Sequence, residues 1–242
     1  CDPAFAGASF SGVFDGNSHA ISNLTIHGAE YLGLFGRTES ACVIEDLRLR
    51  DANVVGTDYV AALAGFSRGQ IVTSCITGTV RGEKRIGGFA GRNWGSIAAG
   101  YSAAAVSGNE DVGGLAGGNY GSIVDSYNVG PVTASRDVGG LAGENYGAIA
   151  TSYSAGAIGG STRAGGIVGY DSPDANTVAC FWDLEVSGLA GSGGETGRTT
   201  AEMQRARTFL DAGWDFVGEA ANGTEDIWRI DEGRDYPRLW WE

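Results

Sequence analysis

Hydrophobic positions recur along this chain with a fixed period of 26 residues. The units that begin at Val60, Ile86, Val112, Val138 and Ala164 read VAALAG, IGGFAG, VGGLAG, VGGLAG and AGGIVG. A short apolar strand follows in most units, and its first isoleucine repeats at Ile71, Ile97, Ile123 and Ile149. A third apolar column lies at Val80, Val106, Val132 and Ile158. Polar turns separate these strands and close each unit.

A fixed period of about 20–50 residues indicates one supersecondary unit stacked on its neighbours. Three short strands per unit, each bounded by Gly, Asn or Asp, predict one rung of a β-solenoid. A helical repeat is disfavoured because glycines occur in every unit and weaken helices. The sequence therefore predicts an all-β fold, a β-solenoid (β-helix) of 26-residue rungs stacked about 4.8 Å apart. The paired glycines are expected to let the strand bend or another backbone approach closely.

The regularity of the repeat divides the chain into three parts. Residues 1–59 contain degenerate N-terminal rungs, residues 60–197 form the regular solenoid, and residues 198–242 differ in composition. In the last part, Thr199-x-x-Glu202 is a capping box that predicts one short helix from Ala201 to Leu210. Most tryptophans follow the repeats, at Trp182, Trp214, Trp228, Trp240 and Trp241. They predict an aromatic cap over the open end of the solenoid, with a carbohydrate-binding patch as the alternative.

One aromatic column occupies the turn that follows each Gly-rich strand. Trp94, Tyr120 and Tyr146 each stand between an asparagine and a glycine. Exposed to solvent, they would form a ribbon of ring faces on which the sugars of a linear polysaccharide could stack, and they are the candidate ligand-binding residues. The other interpretation is structural, because stacked rings also stabilise neighbouring strands.

Two further columns are interpreted as structural. The tyrosines Tyr101, Tyr127 and Tyr153 end an apolar strand and are expected to be buried. The asparagines are expected to hydrogen-bond along the stack or to cap their turns, at Asn93, Asn119 and Asn145.

Composition and charge exclude several classes of function. The net charge is −13, with Lys84 the only lysine, and such a surface repels phosphate backbones, so no nucleic-acid partner is expected. No segment is long and apolar enough to span a membrane as a helix. No Cys-x-x-Cys pair, P-loop or EF-hand loop occurs, so no metal and no cofactor are predicted. Cys75 and Cys180 lie four rungs apart and should not form a disulfide. Cys1 is read as the start of a domain, with a lipid-bearing cysteine as the alternative.

At VGGLAG-x-NYG-x-I-x-x-SY the sequence resembles the GLUG repeat family of bacterial secreted and surface proteins. The resemblance covers residues ~10 to ~197 and recurs in register. It implies a secreted or cell-surface β-helical array, of the kind found in adhesin-like proteins and beside the peptidase unit of immunoglobulin-cleaving metallopeptidases. That peptidase chemistry does not carry over, because the chain has no H-E-x-x-H pair.

An enzymatic function would require catalytic carboxylates near the aromatic column. Asp125 interrupts a column that otherwise holds Thr73, Ala99 and Thr151, and Glu144 interrupts the column of Arg92, Gly118 and Tyr170. The two carboxylates are expected on nearby rungs that flank the aromatic column. They are the candidate pair for a polysaccharide-cleaving enzyme, either a glycoside hydrolase or a lyase. Most carboxylates on so acidic a surface only solvate it.

Three functions therefore remain open for this chain. The first is an extracellular binding or structural module that grips polysaccharide along its side. The second is the polysaccharide-cleaving enzyme, and the third is a purely structural stalk or filament subunit. Association of solenoid ends between chains is compatible with all three.

Overall fold

The computed structural model describes residues 7–189 and 196–242 and confirms the β-solenoid. Strands of successive turns pair in parallel and in the expected register. Ile97, for example, pairs with Ile71 on one side and with Ile123 on the other. Cys1 lies outside the described residues. Among the described residues, no helix is long and apolar enough to cross a membrane.

The solenoid consists of three parallel sheets. The seven-stranded isoleucine sheet comprises Val13–Asp15, Val43–Glu45, Gln70–Val72, Ser96–Ala98, Ser122–Val124, Ala148–Ala150 and Asn176–Val178. The five-stranded asparagine sheet comprises Ala64–Ser67, Ala90–Asn93, Ala116–Asn119, Ala142–Asn145 and Val168–Asp171. The sixteen-stranded long sheet comprises Ala20–Ser22, Thr25–His27, Glu30–Leu32, Arg48–Val55, Asp58–Ala61, Cys75–Arg81, Lys84–Gly87, Tyr101–Ser102, Ala105–Ser107, Glu110–Gly113, Tyr127–Asn128, Val132–Gly139, Tyr153–Ser154, Ile158–Gly165, Phe181–Asp183 and Thr196–Arg198.

Each turn contains more strands than the three that the sequence predicts. Residues with positive φ recur in two columns, one between strands and the other inside strands of the long sheet. One corner column consists of Asp46, Thr73, Ala99, Asp125, Thr151 and Ala179. The second, which we call the charged corner, consists of Tyr31, Tyr59, Arg85, Asp111, Asp137 and Arg163. Non-glycine residues seldom adopt this conformation, so the stacking of many such residues shows that the corner geometry is imposed by the fold.

The interior is a set of apolar columns, as the repeat predicts. The backbone amide of Leu115 donates to the carbonyl of Leu141 at 2.9 Å, and Leu141 donates to Ile167 at the same distance. The second glycine of each pair makes room for an inward side chain of the long sheet. A Cβ at Gly114 would overlap the Asn128 amide, and one at Gly166 would overlap the Trp182 ring. The expectation of a close approach at the paired glycines is therefore confirmed.

The asparagine column is structural, as predicted. Asn93 Nδ2 donates to Asn119 Oδ1 at 2.9 Å, and Asn119 Nδ2 donates to Asn145 Oδ1 at 2.8 Å. Asn145 Oδ1 also accepts from the backbone of Gly147 at 3.1 Å, which caps the turn. All three amides are completely buried. The ladder thus satisfies polar groups that would otherwise be costly to bury.

Replacing Asn119 by alanine is expected to lower the free energy of unfolding by about 2 kcal/mol, because neighbouring amides would lose buried partners. Urea unfolding followed by circular dichroism measures this change. The control is Asn109→Ala, since Asn109 lies in an exposed polar turn. Equal midpoints for the two variants would show that the ladder contributes nothing to stability.

The C-terminal segment does not lie where an end cap was expected. Trp182 belongs to the last turn and packs into the end of the main core, together with Leu184 and Leu189. Residues 198–242, which we call the tail, instead run back along the side of the solenoid. There Trp214 and Trp228 form a second core with Tyr127 and other aromatic residues. The tail therefore covers a side face, because that face presents a hydrophobic aromatic column.

The tyrosine column under the tail is buried at Tyr127 and Tyr153, as predicted, and Tyr101 at its end is only partly buried. The rings of Tyr101, Tyr127 and Tyr153 stack at 5.0 and 4.8 Å. The Tyr127 hydroxyl donates to the Glu242 carboxylate, and the Tyr153 hydroxyl donates to a tail carbonyl at 2.7 Å. At the open end of this stack the Trp241 ring lies on Tyr101 at 5.7 Å. The tail is thus fixed by both ring stacking and hydrogen bonds.

Helical structure is sparse and differs from the single helix predicted. The helices are α1 (Leu184–Ser187), α2 (Thr200–Met203) and α3 (Ala206–Leu210). The capping box of Thr199 with Glu202 is present and starts α2. Arg205 then adopts an extended conformation and separates α2 from α3. The Glu232 carboxylate accepts a hydrogen bond from the first amide of α3 at 2.8 Å, which stabilises the second start. A strand pair, Trp228–Arg229 with Arg238–Leu239, completes the tail.

The cysteines agree with the sequence prediction. Cys42 and Cys75 are buried and free, so Cys75 does not pair with Cys180. Burial raises the pKa of the Cys75 thiol. A buried thiol of raised pKa is a poor nucleophile, so Cys75 is a packing residue.

Candidate functional site

A polar groove of about 340 Å³ runs along the charged corner and the adjoining edge of the asparagine sheet. Its lining consists almost entirely of charged and tyrosine side chains, namely Lys84, Arg85, Arg92, Glu110, Asp111, Tyr120, Arg136, Asp137, Glu144, Tyr146, Arg163 and Tyr170. Five of these side chains are cationic and four are anionic at neutral pH. We call this region the charged groove.

The outer wall of the charged groove is a column of alternating charge. Lys84 pairs in register with Glu110, and Glu110 pairs with Arg136. Lys84 Nζ lies 2.5 Å from Glu110 Oε1, and Arg136 also forms an ion pair with Glu110. These side chains are partly exposed, so each pair contributes little to stability. Because cationic and anionic side chains alternate along the solenoid axis, the outer wall can both donate hydrogen bonds and accept them.

The floor is formed by the charged corner itself. Arg85 binds Asp58 at 2.6 Å, and Arg163 binds Asp137 at 2.5 Å. Asp111 is the exception on this floor. It is only 4% exposed, Lys84 Nζ lies 3.7 Å from its Oδ2 atom, and no hydrogen bond to its carboxyl group is found among the described residues.

Burial raises the pKa of Asp111 to about 6, and the neighbouring carboxylate of Glu144 is the second cause. Lys84 acts in the opposite direction, whereas Glu110 and Asp137 add to the increase. Asp111 therefore changes its protonation state in a range where most aspartates are fully ionised.

The inner wall contains a gap that brings distant side chains together. Its column consists of Arg92, Gly118, Glu144 and Tyr170 in register. Because Gly118 has no side chain, Arg92 Nη2 reaches across that turn to within 3.9 Å of Glu144 Oε1. The Tyr120 hydroxyl donates to the same Glu144 oxygen at 3.1 Å. The Arg92 guanidinium also lies 4.7 Å from the centre of the Tyr120 ring.

The predicted aromatic column forms the rim of the charged groove, but the rings do not present a ribbon of faces. Trp94 and Tyr120 stack at 4.8 Å with 10° between their planes, and Tyr120 and Tyr146 stack at 4.8 Å with 14°. Stacking at the rung spacing turns the faces toward one another and leaves the edges toward solvent. Trp94 is 51% exposed and Tyr146 is 43% exposed.

Trp94 retains one ring face that a ligand can use. It stacks on Tyr120 on one side only, and no other ring or cation contacts it among residues 7–189 and 196–242. Arg68, one turn away, instead lies over the Phe66 ring at 5.4 Å. The exposed end of the stack therefore offers one apolar platform beside the polar groove.

The two predicted catalytic carboxylates are not brought together. Glu144 lies in the charged groove, but Asp125 belongs to the other corner and accepts a hydrogen bond from the Thr151 hydroxyl at 2.5 Å. Burial raises the pKa of Asp125, and the neighbouring Trp228 indole and Asp215 place it under the tail. The pairing was wrong because neighbouring sequence columns can face different sides of a solenoid.

Asp111 was missed, although the repeat contains a signal for it. The polar turn before each Gly-rich strand carries charged residues at equivalent positions of the 26-residue repeat, namely Lys84-Arg85, Glu110-Asp111, Arg136-Asp137 and Thr162-Arg163. Aligning charges by column, rather than aromatic residues alone, would have identified this groove. Among the described residues, no cluster of three His, Cys, Asp or Glu side chains is placed to hold a metal ion.

The chain shares features with two known proteins. No family model matches it. It is 44% identical over 81 residues to halomucin from Haloquadratum walsbyi (strain DSM 16790 / HBSQ001), a match that covers 33% of this chain. The chain spans about 1% of the length of that protein.

A solved structure from Bacteroides ovatus, provisionally named an immunoglobulin A1 protease, superposes with a TM-score of 0.67. The two chains are 19% identical, and the match covers 95% of this chain and 77% of the other. At this identity the likeness concerns the fold alone, and it places the present chain among β-helical proteins.

Proposed function

We propose that this chain is an extracellular or cell-surface binding module that holds a neutral polysaccharide in the charged groove. The single observation that carries the proposal is a long polar groove of nearly balanced charge with a free tryptophan face at its rim. The GLUG resemblance and the partial similarity to halomucin support a location at the cell surface.

The chemistry of the charged groove suits a ligand rich in hydroxyl groups. Guanidinium groups donate hydrogen bonds and carboxylates accept them, and each sugar hydroxyl can do both. The charges of the groove nearly cancel, while the whole chain is strongly acidic, so polyanionic ligands are disfavoured. The rungs repeat every 4.8 Å along the rim, close to the length of one hexose in an extended chain.

Trp94 provides the apolar part of the proposed site. An amphipathic aromatic ring at a groove edge is a common anchor for ligands with one apolar face. Tyr120 and Tyr146 support Trp94 by stacking beneath it and contribute their polar edges to the groove.

Removing the Trp94 ring is expected to weaken polysaccharide binding about tenfold, because an aromatic contact contributes up to about 1.5 kcal/mol beyond its buried area. A glycan array identifies the ligand, and titration calorimetry compares wild type with Trp94→Ala. The control is Trp240→Ala, which removes an exposed tryptophan of the tail that is 43% accessible.

Equal affinities of wild type and Trp94→Ala for the polysaccharide would show that Trp94 is not part of the binding site. If folded wild-type protein binds no glycan on the array, the binding proposal fails and the structural stalk becomes the better interpretation.

A further inference from the structure

We propose that Asp111 and Glu144 form an acid–base pair that hydrolyses a glycosidic bond of a polysaccharide lying in the charged groove. This inference rests on the proposed binding function and adds a reaction to it. It concerns a different pair from the one that the sequence suggests, because Asp125 lies under the tail.

The fold brings Asp111 and Glu144 to the same part of the groove. A Cβ placed on Gly143 would collide with the backbone of Asp111 and Val112, so the strand bearing Glu144 crosses directly over the charged corner. Both side chains line the charged groove. The two residues are 33 positions apart in the sequence. This separation is one 26-residue turn plus the residues that connect the outer wall to the inner wall, so the fold places both side chains in the same part of the groove.

The surroundings of the two carboxyl groups differ in the way that acid–base catalysis requires. Asp111 is more than nine-tenths buried and opens into the groove; it has a cation, Lys84, at 3.7 Å but no hydrogen-bond donor to its carboxyl group among the described residues. Glu144 has a hydroxyl donor in Tyr120 and a cation in Arg92, both beside its Oε1 atom. Two carboxyl groups in contrasting environments take opposite roles in catalysis, one holding a proton and the other accepting one.

The titration of Asp111 is consistent with the role of the acid. Its raised pKa, caused first by burial and second by Glu144, leaves it largely protonated in mildly acidic solution. The other charged or titratable groups around it are Lys84, Arg85, Glu110, Asp137 and Tyr146. A general acid is most effective when its pKa lies near the working pH.

The reaction consumes one water molecule. Asp111 donates its proton to the glycosidic oxygen as the bond from that oxygen to the anomeric carbon breaks. Water attacks the anomeric carbon, and its proton passes to Glu144 Oε2, which has no hydrogen bond among the described residues. The products are a sugar with a new reducing end and a sugar with a free hydroxyl, and solvent returns the proton from Glu144 to Asp111.

The test compares cleavage and binding in the same samples. Soluble β-glucan, mannan, xylan and starch serve as probes, with new reducing ends measured by a colour assay and binding measured by affinity electrophoresis. Wild type should release reducing ends from a polymer that it binds, with activity declining above about pH 6 as Asp111 ionises. Asp111→Asn and Glu144→Gln should each lower the rate by about 100-fold or more while binding persists. Asp125→Asn, outside the groove, should keep wild-type activity.

The outcomes separate the two proposals. Binding by wild type without any new reducing ends overturns the hydrolytic pair and leaves the binding module intact. Cleavage that persists in Asp111→Asn or Glu144→Gln also overturns the pair. Absence of both binding and cleavage overturns both proposals together.

Discussion

Replacing Trp228 by alanine is expected to cost about 3–5 kcal/mol and to release the tail from the side of the solenoid. Trp228 is completely buried, and its ring centre lies 4.6 Å from that of Trp214 and 6.0 Å from that of Tyr153. The tail is held mainly by contacts between rings, so a cavity at this position removes packing from both the tail and the tyrosine column. The solenoid itself should stay folded, because its strands pair with one another and, beyond Arg198, not with the tail.

Two spectroscopic signals distinguish these parts of the molecule during urea unfolding. Tryptophan fluorescence reports chiefly on the tail, which holds four of the six tryptophans, at positions 214, 228, 240 and 241. Far-ultraviolet circular dichroism reports chiefly on the strands of the solenoid. In Trp228→Ala the fluorescence midpoint should fall well below the dichroism midpoint. Trp240→Ala is the matched control, since this residue is 43% exposed and Trp228 is completely buried. A single unchanged transition in Trp228→Ala would refute the expectation.

Asp111→Asn is expected to stabilise the protein at neutral pH by about 3 kcal/mol, because it removes a buried carboxylate whose pKa is raised by about two units. The folded-state pKa of about 6 exceeds the unfolded value near 3.9, so the folded state binds the proton more tightly. The destabilisation by Asp111 is therefore absent below about pH 4, grows as the pH rises through 6 and is complete above it. Asparagine also tolerates the positive φ of this corner.

Unfolding free energies measured in urea at pH 4 and pH 8 test this dependence. The difference between Asp111→Asn and wild type should be close to zero at pH 4 and largest at pH 8. Asp137→Asn is the control in the same column, and it should destabilise because Asp137 is ion-paired with Arg163 and Arg136. A difference that does not change with pH would mean that burial of Asp111 has no electrostatic cost. Stabilisation on removal of Asp111 would also fit a residue retained for function rather than for folding.

The repeat made most of the architecture predictable. A fixed period determines which residues stack, so the columns headed by Ile71 and Asn93 could be assigned from the sequence alone. The burial of Tyr127 and Tyr153 followed from their place at the end of an apolar strand. These features depend on neighbouring turns only, and the period contains that information.

The arrangement of columns around the cross-section could not be predicted in the same way. Asp125 and Glu144 are close in sequence and lie in adjacent turns, but corners of positive φ send them to different faces. Glu144 instead lines the same groove as Asp111, which is 33 residues away, because the strand carrying Gly143 crosses the corner there. The direction of each corner depends on backbone angles that no residue type fixes by itself.

The tail and the ring orientations were missed for related reasons. A tryptophan-rich composition predicts that a segment is buried, but it does not predict the surface on which the segment packs. Here the tail packs on the aromatic side face and not on the open end of the solenoid. Exposure of Trp94 and Tyr146 was compatible with a ribbon of faces. Stacking at the rung spacing turned those faces inward, which a column alignment alone does not reveal.

The equal spacing of the turns also bears on how such a chain can change over generations. Each residue of the column that contains Val112 and Val138 occupies an equivalent place one turn further on. A genetic exchange between two such positions would therefore delete or duplicate a complete turn and leave every column continuous. The number of turns, and with it the length of the charged groove, can vary in single steps, whereas an insertion of any other size disrupts the stack. Natural selection can thus match the reach of this surface to its target without redesigning the cross-section.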